Sequence, residues 1–158
     1  MGVALISDNS SFVISGIEIK NRSWSNTTGL IQGVTTITSS NEAKKDFNGF
    51  QNTQSIAEYT HASAAYECTV TQFKNGQMGY LASVGEWMEI INNLDEINRC
   101  MSLIDGLDID EGATSYWTST QYNYEKAWLV TYNGNEFYPN DERKGVSFYA
   151  IRVISQLI

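Results

Sequence analysis

Two stretches of helical periodicity lie back to back in the middle of this chain, and both flanks read as extended. From Thr53 to about Gln72, Ile56, Tyr59, Ala62 or Ser63, and Tyr66 recur at three- to four-residue spacing, with Thr53 placed as an N-cap. KNGQMGY breaks that pattern. Ser83-Val-Gly-Glu86 then has the spacing of a capping box, in which a serine hydroxyl serves one helix amide and a glutamate reaches back to another. The helix it opens carries Trp87, Ile90, Ile91, Leu94, Ile97, Met101 and Ile104 on one stripe and is predicted to end near Asp105-Gly106. Val3–Ile6 and Phe12–Ile19 read as strands around an SDNSS turn. Further strands are expected near Trp117–Ser119, Ala127–Tyr132 and Phe148–Ile154, with a tight turn at Asn133-Gly134. Residues 21–52, rich in Ser, Thr, Asn and Gly, read as loops with brief extended pieces pinned by Trp24, Phe47 and Phe50. This order predicts an α+β fold: two helices packed on a small antiparallel sheet with long loops.

At 158 residues, with 42% hydrophobic and 18% charged residues, the chain fits a single globular domain over 1–158 without repeats or a linker. Its net charge of −8 argues against nucleic acid and anionic lipid as partners, since both reward clustered Lys and Arg. No apolar run approaches the roughly 18 residues of a membrane span, so no membrane insertion is expected. The N-terminal segment lacks the pattern of a secretory signal and begins directly in a strand. That suggests a domain excised from, or forming the C-terminal part of, a larger protein. Cys68 and Cys100 are the only cysteines and are expected to be buried free thiols, with a single bridge as the alternative.

No constellation promises chemistry. His61 is the only histidine, no nucleophile can be matched with a base, and no phosphate loop is present, so a non-enzyme is expected, without cofactor or metal. The acidic run Asp105, Asp108, Asp110 and Glu111 lacks the spacing of a calcium loop and reads as solvated. Tyr138-Pro139-Asn140-Asp141 loosely echoes the proline-centred tripeptides of sugar-binding lectins, but Tyr138 stands where a Glu or Gln ligand belongs. Arg152 sits inside the apolar run YAIRVI and Glu86 opens a helix with an apolar stripe. A buried Glu86–Arg152 ion pair is therefore expected as architecture.

The aromatics are distributed unevenly. Tyr116, Trp117, Tyr122, Tyr124, Trp128, Tyr132, Phe137, Tyr138, Phe148 and Tyr149 all fall in the stretch from 116 to 149, more than half of the chain's Trp, Tyr and Phe. Trp117 and Trp128, inside strand-like runs, read as core. Tyr122, Tyr124, Phe137 and Tyr138, flanked by Asn, Glu and Lys, read as exposed. Exposed aromatics with adaptable polar neighbours make a composition suited to grasping a partner.

GYLASVGEW (79–87), YWTSTQY (116–122), AWLVTYNG (127–134) and YAIRVI (149–154), in that order, resemble the signature of a C-type-lectin-like family common in gut Bacteroidales and their phages. GVALISDNSSFVIS and DFNGFQNT resemble its upstream part, so the likeness spans nearly the whole chain. Ala82 and Val153 depart from the family's usual prolines. The family is related to the variable proteins of diversity-generating retroelements, among them phage tropism determinants. It is more distantly related to formylglycine-generating enzymes, whose paired reactive cysteines have no counterpart here. The resemblance implies a C-type-lectin-like fold with a displayed, hypervariable C-terminal face. Carried onto this chain, that face comprises Gln121, Tyr122, Asn123 and Tyr124, then Asn133, Glu136, Phe137, Tyr138, Asn140 and Asp141, with Phe148 and Tyr149. The function so implied is a phage or prophage adhesin, on a virion surface or otherwise extracellular, binding a bacterial surface protein or glycan. Homotrimeric or other multivalent display would raise weak single-site affinity. A cell-surface or fimbrial-tip adhesin of a gut bacterium, and a structural virion module whose aromatics form a subunit interface, are the alternatives.

Overall fold

The computed structural model describes residues 1–109 and 115–157. Asp110 and Glu111 of the acidic run lie outside the described residues. In chain order the elements are β1 (Gly2–Ile6), β2 (Ser11–Ser15), β3 (Ile19–Arg22), α1 (Ser40–Ala43), α2 (Gly49–Tyr59), α3 (Ala64–Thr69), β4 (Gly79–Leu81), α4 (Val84–Asn92), α5 (Leu94–Leu103), β5 (Ser115–Gln121), β6 (Lys126–Tyr132), β7 (Phe137–Arg143), β8 (Tyr149–Ile151) and β9 (Val153–Gln156). The fold is α+β, and the expected single small sheet is two sheets. One runs β1-β2-β9-β4 and is antiparallel; the other runs β3-β8-β5-β6-β7 and is mixed, because β5 and β8 pair in parallel. The single strand expected over 148–154 is divided at Arg152, with β8 joining one sheet and β9 the other.

Each expected helix is broken once. The first begins earlier than Thr53, at Gly49, and stops at Thr60, whose backbone turns extended. Ser63 then caps α3 by accepting from the Tyr66 amide at 3.1 Å. His61 falls in the break, its ring stacked 4.3 Å from that of Tyr66, rather than inside a helix. Thr53 is not a cap; its hydroxyl donates to Gly49 O and accepts the Leu81 amide, tying α2 to β4. The second helix breaks at Asn93, whose side chain donates to Glu89 O at 2.8 Å and competes with the helix ladder. The capping box itself is present: Ser83 Oγ accepts from Glu86 N and Glu86 Oε2 accepts from Ser83 N.

One core joins α4 and α5 to both sheets through Phe12, Ile14, Trp87, Ile90, Met101, Tyr116, Val130 and Ile154. A second fills the opposite face of the five-stranded sheet, with Trp24, Ile31, Ile56, Trp117, Leu129 and Ile151. Trp117 and Trp128 are core residues, and their indoles explain how the long irregular segment is held. Trp117 Nε1 donates to Arg22 O, Trp128 Nε1 to Ile37 O and Trp24 Nε1 to Thr118 O, each within 2.7–2.8 Å. Segment 21–52 is thereby laid across β5 and β6 rather than left as free loop.

The Glu86–Arg152 pair is absent. Arg152 is fully buried and pairs with Glu18 at 3.3 Å while donating to the carbonyls of Ser15, Leu107 and Asp108. Glu86 instead accepts from Ser83 and from the Tyr80 hydroxyl. The apolar surroundings of both charges were legible, but the partner of Arg152 is Glu18, the residue just before β3, which brings a different carboxylate to it. Cys68 is buried and Cys100 only half-buried, and both are free.

Candidate ligand-binding surface

The hairpin β6–β7 organises the residues expected to bind. Its register pairs Lys126 with Arg143 at one end and Tyr132 with Phe137 at the other. Six residues of strand separate those ends by about 20 Å. The expected face therefore divides into a loop end near Tyr122–Tyr124 and a hairpin tip at Asn133–Glu136.

β7, Phe137–Arg143, is a strand beyond those expected from the sequence. Closure of the hairpin by Asn133 N to Glu136 O makes Phe137, Pro139, Asp141 and Arg143 the positions whose backbone groups face away from β6. Pro139 has no N–H there, and the amides of Asp141 and Arg143 are taken by the side chains of Asn140 and Glu142 at 2.9 and 2.8 Å. This edge is blunted against strand addition and presents side chains instead.

Several of the expected contact residues are occupied within the chain. Gln121 is 0% exposed and is a core residue, not a surface one. Its Oε1 accepts from Ile31 N and Lys144 Nζ, and its Nε2 donates to Thr36 Oγ1. Phe137, expected exposed, is 8% exposed and packs on Tyr116 and Tyr132. Asn123 Oδ1 accepts the amides of Glu125 and Lys126, and Asn133 Oδ1 those of Asn135 and Glu136, so both asparagines build turns. Asp141 is paired with Lys126, and Tyr149 donates to Glu142 Oε2 at 3.0 Å. Tyr122 rests edge-on against Trp128, 5.1 Å between centroids. Tyr138 and Glu136 are exposed, Tyr124 is 56% exposed and Phe148 82%.

At the loop end three segments meet. Gly29 N donates to Tyr124 O at 2.7 Å, Lys144 N donates to Glu125 O, and Lys144 Nζ reaches back to Gly29 O at 2.7 Å. They enclose a cavity of about 370 Å³ lined by Thr28, Glu125, Arg143, Lys144, Gly145 and Val146. Exposed Leu30 and Tyr124 adjoin those contacts. Lys144 was not anticipated. It is 1% exposed, lies 4.9 Å from the Trp24 ring centroid, and burial lowers its pKa to about 8. In sequence it is one basic residue before a glycine, and nothing local reveals that Gly29 and Gln121 close over it. At the hairpin tip a second cleft of about 440 Å³ is lined by Ile91, Leu94, Asp95, Tyr132, Glu136 and Phe137, among others.

Among the described residues, no three His, Cys, Asp or Glu side chains converge as a metal site would need. No helix among the described residues is long and apolar enough to cross a membrane.

No family model and no curated protein sequence matches the chain. Its fold is similar to that of a fimbrial protein from Bacteroides ovatus ATCC 8483. The crystal structure of that protein superposes with a TM-score of 0.64 over 93% of this chain and 36% of that one, at 18% identity. The chain thus spans about a third of the length of the solved protein it resembles. At that identity the likeness concerns architecture.

Proposed function

We propose that this domain is the ligand-binding module of a bacterial surface adhesin, built on a C-type-lectin-like fold. It binds a surface protein or glycan at the loop end without catalysis, metal or cofactor. The observation that carries this reading is the convergence of loops 26–30, 122–125 and 143–148 at one end of the five-stranded sheet. They bear exposed Leu30, Tyr124 and Phe148 and frame a largely apolar cavity into which Glu125, Arg143 and Lys144 bring charge. Large apolar side chains held in solvent beside a mostly apolar concavity with a few placed polar groups are the usual anatomy of a binding site. The likeness to a fimbrial protein supports a cell-surface setting, where repeated display on a fibre or as a trimer multiplies a weak affinity. The resemblance of four sequence blocks to a C-type-lectin-like family related to retroelement-diversified proteins favours a second reading, the receptor-binding tip of a phage or prophage, in which these same loops vary between strains.

The test is binding of a fluorescent, tetramerised form of the chain to a panel of gut bacterial and host cells. The wild type should label a subset of cells. Tyr124→Ser and Phe148→Ser should abolish labelling, while Leu103→Ser, on α5, should not. Labelling that survives both loop substitutions contradicts the assignment of the face.

A further inference from the structure

We propose that the loop-end cavity is an anion site that takes the carboxylate of an acidic saccharide, a uronic or sialic acid on a surface glycan. This rests on the reading of the loop end as the ligand face. The chain has 10 Lys and Arg against 18 Asp and Glu, yet two of the six residues lining this cavity are basic and only Glu125 is acidic. Neither Arg143 nor Lys144 forms an ion pair among the described residues. The ammonium of Lys144 donates to two neutral oxygens, Gly29 O and Gln121 Oε1 at 2.7 and 2.6 Å, and faces the Trp24 ring. Two other cations are treated differently: Lys126, opposite Arg143 in the hairpin register, is matched by Asp141, and Arg152, the other fully buried cation among the described residues, by Glu18.

A buried cation without a counter-charge is costly, and a bound anion would supply what the chain does not. Burial already makes Lys144 a weaker base than an ordinary lysine, the response of a charge that lacks a partner. The guanidinium fork of Arg143 is shaped for a planar carboxylate. Glu125 on the same wall makes a phosphate dianion the poorer match and, with the Thr28 hydroxyl, offers partners for ring hydroxyls. Tyr124 and Leu30 at the rim give apolar surface for the C–H face of a sugar ring. The cavity, about 370 Å³, is at the small end of the range for ligand pockets, the scale of a single residue of a glycan.

The experiment is a heteronuclear NMR titration of the whole chain with glucuronic acid and N-acetylneuraminic acid. Their methyl esters and inorganic phosphate serve as comparisons. The acids should shift resonances of residues 124–125 and 143–146 saturably. The esters should bind at least about tenfold more weakly, and Arg143→Gln should lower affinity for the acids by about tenfold without changing the thermal midpoint. Equal affinity for acids and esters, an Arg143→Gln chain that titrates like wild type, or no saturable shift overturns the assignment. Phosphate acting on the same resonances at the same concentrations overturns the saccharide. If Arg143→Gln still labels cells while Tyr124→Ser does not, the anion site fails and the ligand face stands. If Tyr124→Ser labels cells too, the face itself fails.

Discussion

Glu86→Gln should flatten the pH dependence of folding. The Glu86 carboxyl is buried between Tyr80, Ser83 and Asp46, and burial outweighs the hydrogen bonds it accepts from Ser83 and Tyr80. Its pKa rises from 4.5 to about 7. The proton count agrees. Ser83 Oγ lies 2.6 Å from Asp46 O and 2.8 Å from Glu86 Oε2, and one hydroxyl hydrogen cannot serve both; a protonated Glu86 supplies the second. A raised pKa means that the native state holds the proton more tightly than the unfolded chain. Stability from this group is therefore greatest below about pH 4.5, falls as pH climbs to about 7, and is level above that. At about 1.4 kcal/mol per pH unit, the interval from 4.5 to 7 amounts to roughly 3 kcal/mol. Urea unfolding followed by tryptophan fluorescence, near pH 5 and near pH 8, measures it. Glutamine cannot ionise, so the difference between the two proteins' pH responses isolates Glu86 from other carboxylates. Wild type should lose up to about 3 kcal/mol more than the variant over that interval. Parallel responses, or a wild type that gains stability as pH rises, would refute the reasoning.

Other substitutions test other parts of the fold. Arg152→Met should cost about 3–5 kcal/mol, because it leaves Glu18 buried and three carbonyls without a donor. A double-mutant cycle by chemical denaturation should find coupling of Arg152 to Glu18 and none to Glu86. Gly49→Ala should destabilise by several kcal/mol, since a Cβ there would stand 2.0 Å from Glu86 Oε2 and 3.0 Å from Ser83 N, breaking the capping box; thermal unfolding reads the loss. In the native protein Cys100 should react with a thiol reagent at least about tenfold faster than Cys68, whose thiol is fully buried and held well above the usual thiol range by that burial. Mass spectrometry of partially labelled protein distinguishes the two.

What could be read from the sequence was what local rules determine. The Ser83–Glu86 box, the apolar stripe after it and the Asn133-Gly134 turn depend on residues within a few positions of one another, and all are present. The helix breaks at Thr60–Ser63 and Asn93 are also local, but they rest on side chains that bond the backbone, Thr60 and Ser63 at the first and Asn93 at the second, which periodicity alone does not register. β7 was hidden because its proline is tolerated only on an outward-facing edge position, and the edge exists only once the sheet is assembled. The asparagines of the expected face looked like adaptable contacts, whereas Asn123, Asn133 and Asn140 bond the backbone beside them. Buried charge was the least legible feature. Asp46 gathers donors from Thr35, Asn48, Asn52 and Thr120, and Lys144 is closed over by Gly29, more than a hundred positions earlier. Such burial follows from where the 21–52 segment is laid by three indoles, not from the neighbours of either charge.

The central claim is that ligand is held by the loop end of the five-stranded sheet. Hydrogen exchange of the chain, alone and saturated with a cell-surface extract fraction that competes for cell labelling, tests it most directly. Protection confined to residues 26–30, 122–125 and 143–148 is the predicted result. Protection centred on the hairpin-tip cleft of Leu94, Tyr132 and Glu136, with the loop end unchanged, would contradict it.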